Sequence, residues 1–153
     1  MTRTIDPEEN PVGALRELLD GQLLGVLGSH FEGAPYTSLV AFARRDGIRR
    51  MLFATARSTR KYRNLSADPR ASMLIDNRDN IPGDFADAAA ATAVGVCREL
   101  EGAELDDGRR ILLDRHPQLS AFVASPSCAV MAFDVEQYNL VWRFQHVVEI
   151  RPQ

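Results

Sequence analysis

The sequence predicts a mainly β domain, an antiparallel barrel with helical additions, and three observations carry that prediction. About six apolar or alternating runs have strand length and composition. Most are separated by short turns rich in Gly, Pro, Asp and Asn, as hairpin connections require. Helical patterns occur only between or before the strands, so they decorate a sheet and do not build a bundle. The chain has 153 residues, 45% of them hydrophobic. That is enough for one real core and short for two. No repeat, low-complexity tract or linker marks a boundary, so residues 1–153 are expected to form a single domain.

The elements follow in order. Pro11 to Asp20 places Leu15, Leu18 and Leu19 on one helical face, and Gly21 follows as a stop. Leu23 to His30 is an apolar strand. Glu32-Gly33-Ala34-Pro35 is turn chemistry, and Tyr36 to Ala43 is a strand rich in aromatic and β-branched residues. Asp46-Gly47 signals a hairpin into a third strand, Met51 to Ala56. Ser58 to Ala67 reads as a helix that Asp68-Pro69 ends. Ala71 to Asp76 is a fourth strand, and Asn77 to Asp87 a loop. Ala88 to Leu100 is a fifth strand, although its alanines also suit a helix. Asp106 to Arg115 is helical up to His116-Pro117, with a short helical turn over Leu119 to Ala124. Cys128 to Phe133 and Leu140 to Ile150 are the last strands, joined around Glu136 to Asn139.

Composition narrows the function. The net charge of −3 argues against nucleic acid as the main partner, because a phosphate backbone selects a basic surface. No apolar run is long enough to span a bilayer, and the opening MTRTIDPEENP is polar, so the expected location is the cytoplasm. Cys97 and Cys128 form no CxxC pattern, and His30, His116 and His146 have no metal-ligand spacing, so no metal site is expected.

The stretch from Phe53 to Leu65 carries the chemistry. It runs from a strand, through Ser58 as the expected N-cap, into a helix. Thr59, Arg60 and Lys61 then fill the first helical turn, where the positive end of the helix dipole disfavours cations by roughly 0.3–1 kcal/mol each. The residue three after the cap, usually Glu or Gln, is here Lys61, the only lysine of the chain. Four basic residues between Arg57 and Arg63 in an acidic chain ask for an anion. A phosphate would meet free N–H groups, the helix dipole, the Ser58 and Thr59 hydroxyls and charged side chains. A solvated basic turn, screened by salt, satisfies the same residues.

The segment Thr55-x-x-x-x-Arg60-Lys61 resembles the strand–turn–helix phosphate motif of the pyridoxamine-5'-phosphate-oxidase-like flavoprotein superfamily. Gly33-Ala34-Pro35-Tyr36-Thr37-Ser38-Leu39-Val40 resembles its second strand. Asn64-Leu65, followed by Asp68-Pro69-Arg70-Ala71-Ser72-Met73-Leu74-Ile75, resembles its next stretch. The likeness is good over residues 12–100 and weak in the C-terminal third. It implies a six-stranded antiparallel split β-barrel of Greek-key type, working as a homodimer with two FMN sites at the interface. By position, Arg60 and Lys61 would hold the phosphate, and Thr55 and Ser58 would assist by hydrogen bond. Thr37, Ser38 and Leu39 would line the isoalloxazine and ribityl chain. Asn64, one turn beyond Arg60, either supports the same site or is a helix-surface residue. Trp142, the only tryptophan, either stacks near the flavin of the second protomer or packs on the core.

The chain departs from a true pyridoxamine phosphate oxidase. It lacks that enzyme's Arg near Ser38, its Lys near Ala43 and its C-terminal Arg-x-His motif, so oxidation of vitamin B6 is not expected. The expectation is an FMN-binding flavoprotein that acts as an oxidoreductase on an unidentified small molecule, with no catalytic acid or base assigned. The alternatives are a flavin binder without turnover, a split barrel using haem or a deazaflavin coenzyme, and a cofactor-free barrel used for protein contacts.

Overall fold

The computed structural model describes residues 4–153, so the first three residues of the polar opening stretch lie outside it. Helix α1 (Pro11–Gly21) comes first, capped by Asn10, whose side-chain oxygen accepts the Gly13 N–H at 2.9 Å. Strands β1 (Leu24–Phe31), β2 (Ala34–Arg45) and β3 (Arg50–Ala56) form a meander. The left-handed turn residues Glu32, Gly33, Asp46 and Gly47 make its two corners. Helix α2 (Arg60–Ala67) leads to β4 (Arg70–Asp76), and a loop with one short helix, α3 (Asp84–Asp87), leads to β5 (Ala89–Glu99). Helix α4 (Gly102–Arg115), a 3₁₀ turn (Pro117–Leu119) and α5 (Ser120–Ala124) precede β6 (Cys128–Trp142) and β7 (His146–Ile150).

All pairings are antiparallel. The sheet order is β3-β2-β1-β4-β5-β6-β7, and an additional β3–β6 pairing closes six strands into a barrel with β7 attached outside the ring. Inward residues interlock in one core that includes Leu15, Leu27, Phe42, Phe53, Met73 and Tyr138. A smaller core of Leu52, Leu100, Leu112, Val123 and Val130 lies between the barrel wall and the α4–α5 excursion. Arg115 ties that excursion back to α1, donating to the carbonyls of Leu19 at 3.2 Å and Asp20 at 3.0 Å at the helix's open C-terminus. His116 is buried, and its Nε2–H donates to the Phe42 carbonyl at 2.8 Å.

Several expectations are corrected. The last strands do not turn around Glu136 to Asn139. A register shift opposite Val94 and Gly95 takes up one extra residue at Glu136, and Val135 before it and Tyr138 and Leu140 after it are buried, so β6 continues through the stretch and turns at Arg143 and Phe144, both left-handed. The polar letters mark an exposed position at Glu136 and partly buried ones at Gln137 and Asn139, on a strand and not a loop. Ala88 to Leu100 is indeed a strand: its alanines alternate inward at Ala91 and Ala93. Helix α4 begins at Gly102, earlier than expected, and α3 interrupts the expected loop. Among the described residues no helix is long and apolar enough to cross a membrane.

Candidate functional site: the cleft where the barrel splits

The second and third strands stay together only from Phe42↔Phe53 to Arg45↔Arg50. Beyond Phe42 they part. β2 continues beside β1, with Val26 opposite Leu39, while β3 continues beside β6, with Thr55 opposite Ala129. A cavity of about 260 Å³ opens between Leu39–Ala41 on one wall and Ala54–Ala56 on the other, with Leu119 and Phe122 from the α5 region at its edge. On each parted strand every second residue turns its N–H and C=O toward this cleft and away from any strand partner. Such groups require hydrogen-bond partners from water or a ligand.

Helix α2 starts at the end of the cleft. Its cap is Thr59, not Ser58: the Thr59 hydroxyl accepts the Tyr62 N–H at 3.3 Å and donates to the Ala56 carbonyl at 2.9 Å. Ser58 is exposed. The Thr59 hydroxyl also lies 2.8 Å from that of Thr55, and the Lys61 Nζ donates to Thr55 Oγ1 at 3.5 Å. Two hydroxyls and an ammonium therefore converge where the Arg60 and Lys61 N–H groups open the helix without intrahelical partners.

The structure sorts the four basic residues. Arg57 is neutralised by Glu99 at 2.8 Å and donates to the Pro126 carbonyl at 2.8 Å. That same guanidinium, with the Tyr62 hydroxyl 2.6 Å from the other oxygen, holds the Glu99 carboxyl below its usual range. Arg63 lies over the Phe31 ring at 4.5 Å, and Arg60 over Tyr36 at 5.2 Å. Lys61 has no carboxylate partner among the described residues, and burial pushes its ammonium below the ordinary lysine value. A desolvated cation without a counter-ion, beside two hydroxyls and free N–H groups, is a receptor for an anion.

Of the residues expected at a cofactor site, Leu39, Thr55 and Lys61 line this cleft together. Arg60 stands at its helical end with an exposed side chain. Ser38 faces the barrel interior, its hydroxyl buried and without a partner. Thr37 lines a separate cavity of about 440 Å³ with His30 and Arg70. There His30 Nε2 stands 3.1 Å from Asp68, a carboxylate partner that sequence order did not suggest. Asn64 is not a surface residue: it is 1% exposed, its amide donates to the Ser29 hydroxyl at 3.2 Å, and its own oxygen is unpartnered. Trp142 packs against the main core and lines a third cavity, beside α1, and shares none with Lys61 within one chain. Sequence reasoning placed the Thr59 hydroxyl near the anion but not as the helix cap, and it missed Leu119 and Phe122. Thr59-x-x-Tyr62 competed with Ser58 as a cap in plain view, whereas nothing in the spacing of Leu119 and Phe122 connects them to a strand 80 residues earlier.

The comparisons agree with this architecture. No curated protein matches the chain by sequence. Among solved structures, a haem-binding protein from Mycobacterium smegmatis superposes with a TM-score of 0.81 at 24% identity, covering 89% of this chain and 55% of that one. The chain thus spans little more than half of that relative's length. HutZ, the haem storage protein from Vibrio cholerae, superposes with a TM-score of 0.74 at 15% identity, covering 92% of this chain and 95% of that one. A FAD-binding protein from Mesorhizobium loti does so with a TM-score of 0.70 at 17% identity, covering 90% and 93%. At these identities the likeness is one of fold. The family described as Pyridoxamine 5'-phosphate oxidase matches residues 12–142, the span from α1 through the parted strands to the end of β6. With six strands closed into a barrel, β2 and β3 separated above a phosphate-like motif, and a family match over most of its length, the chain belongs to the pyridoxamine 5'-phosphate oxidase family.

Proposed function

We propose that the protein is an FMN-binding flavoprotein whose cofactor lies in the cleft between β2 and β3, and that it is an oxidoreductase toward a small molecule. The observation that carries the proposal is Lys61: a half-buried ammonium without a carboxylate, within reach of the Thr55 and Thr59 hydroxyls at a helix start. The residues present suit the group. Lys61, Thr59 and the first N–H groups of α2 would hold the phosphate, with Arg60 adding charge from the rim. The free edges of Leu39–Ala41 and Ala54–Ala56 would take the polar edge of the ring system, and Leu119 and Phe122 would exclude water from it. When bound, flavin supplies the electron-transfer chemistry. Around it the chain contributes binding, orientation and an apolar wall; Lys61 is the only charged side chain lining the cleft.

The partner in this proposal is a second copy of the chain. The cleft's volume of about 260 Å³ falls short of the roughly 300–1,000 Å³ of complete small-molecule sites, so another wall is needed. The outer face of the sheet offers one, because Leu39 and Val26 are cross-strand neighbours, Leu74 follows on β4, and Leu24 and Val94 extend the apolar surface. Two unpaired thiols, Cys97 and Cys128, suit a reducing cytoplasm.

The visible spectrum of freshly purified protein tests the cofactor directly. A flavin spectrum released as FMN is expected. A Soret band would assign haem instead, the reading that two of the similar structures favour. Bleaching of the bound flavin by NADH or NADPH is the expected sign of turnover; a flavin that neither reductant bleaches marks a binder without that activity.

A further inference from the structure

The cavity of about 440 Å³ that Thr37 lines spans β2, β1 and β4 and shares no lining residue with the cleft. Its volume falls inside the range of complete small-molecule sites. Its floor is Gly28, which pairs with Thr37 on one side and Ser72 on the other. A methyl group on Gly28 would come 2.5 Å from the Ser72 hydroxyl, so the hollow exists because that side chain is missing. The next residue, Ser29, is 6% exposed and accepts the Asn64 amide at 3.2 Å, which fixes β1 from the core side.

The lining carries Arg70 and His30 but no carboxylate. Asp68, which bonds both, is spent. Its oxygens accept Arg70 Nε at 3.0 Å and Arg70 Nη2 at 2.7 Å, and one of them stands 3.1 Å from His30 Nε2. The bonds from Arg70 hold the Asp68 carboxyl well below the usual carboxylate range, so it stays charged and keeps both partners in place. Among the described residues, Arg70 Nη1, His30 Nδ1 and the hydroxyls of Thr37 and Ser72 have no hydrogen-bond partner. A cation would be repelled by the guanidinium and would find no free carboxylate. A neutral apolar molecule would strip water from the hydroxyls without replacing it. A carboxylate has only acceptors to offer, so it can take a hydrogen bond from each hydroxyl and from the open edge of the guanidinium. Pro35 and Ala71 leave an apolar wall for the body of such an acid.

We propose that this cavity binds a small organic carboxylate, with the acid group among Thr37, Ser72, His30 and Arg70 and the body against Pro35 and Ala71. The assignment is independent of a flavin in the cleft. In the dimer proposed above, the facing copy would close the mouth of the cavity, because Val94, on the covered face, is the register partner of Ser72. The test titrates the protein as purified with benzoate, benzamide and benzamidinium, which share one shape and differ in charge. Calorimetry reads the affinity, and nuclear magnetic resonance reads the histidine ring signals. The chain has three histidines, and His30→Gln identifies the signal of the first. Benzoate is expected to bind saturably and shift the His30 signal, benzamide to bind at least about tenfold more weakly, and benzamidinium not to bind. Because Lys61 also attracts anions, two variants are titrated beside the parent. Lys61→Ala should keep the binding of benzoate, and Arg70→Gln should remove the preference for benzoate over benzamide while leaving flavin affinity unchanged. Equal affinities for benzoate and benzamide, binding of neither, a His30 signal that does not move, or loss of benzoate binding in Lys61→Ala would each overturn the proposal. The three ligands on the unmodified protein, read at His30, decide it even if Arg70→Gln folds poorly.

Discussion

At the residue scale, the cleft turns on a single ammonium. Lys61 is desolvated, so its charge is lost at lower pH than that of a free lysine. The protonated form is the one that attracts a phosphate. FMN affinity should therefore be level near neutrality and fall as pH rises, beginning below the ordinary value of 10.5; a fluorescence titration across that range checks it. Replacing both cations, Arg60→Ala with Lys61→Ala, is expected to weaken FMN by on the order of 2–5 kcal/mol, the scale of two charge-assisted contacts. Unchanged affinity would mean that the phosphate lies elsewhere. Glu99 behaves in the opposite sense. Its hydrogen bond from Arg57 lowers its pKa, so its contribution to stability is present above the ordinary 4.5 and disappears as pH falls through the depressed value. Glu99→Gln, which keeps an acceptor for the Tyr62 hydroxyl but removes the charge facing Arg57, should lower stability slightly at neutral pH and hardly at all in strong acid, as urea melts at the two pH values would show. The sequence displayed the crowded charge but not its division. Nothing in Arg57 to Arg63 distinguishes the guanidinium that Glu99 neutralises from the lysine left over, because Glu99 arrives from another strand.

At the scale of elements, positions and types were readable wherever burial alternates cleanly. The meander β1–β3, helix α1 and strands β4 and β5 lie within one or two residues of where apolar spacing puts them. Prediction failed where side-chain polarity was taken for a turn. Glu136 to Asn139 belong to β6 because both ends of that strand are anchored, the first half on β3 and the second on β7. The cap of α2 slipped by one residue because Ser58 and Thr59 both offer a hydroxyl, and only the bond from Tyr62 N–H selects the second. Between β5 and β6 the register shifts after Val94, and Gly95 fills the irregularity. A methyl group there would come 2.0 Å from the Asp134 carbonyl oxygen, which no rotamer relieves. Gly95→Ala should accordingly cost about 1–3 kcal/mol, the usual penalty of overpacking, seen as a lower melting temperature.

At the scale of the whole molecule, the barrel is closed by β3–β6 yet incomplete between β2 and β3, and its outer face remains apolar. Both features would be covered by the proposed second copy. Sedimentation is expected to give twice the chain mass of 17.0 kDa, and Val94→Arg, which places a charge on that face at a residue outside the cleft lining, should yield monomers. Retention of a dimer by this variant would move the interface elsewhere. The architecture was legible from strand count and turn chemistry; the composition of the cleft wall was not, since Leu119 and Phe122 are carried there by an excursion with its own small core.

The parted strands have one further consequence. A bare strand border is sticky toward other chains, and this fold leaves two of them facing each other across a gap. A ligand seated in the gap, as proposed, would cover both borders at once. If the proposed flavin is that occupant, protein stripped of it should aggregate or be degraded more readily than the loaded form, so flavin supply would set how much of the protein persists.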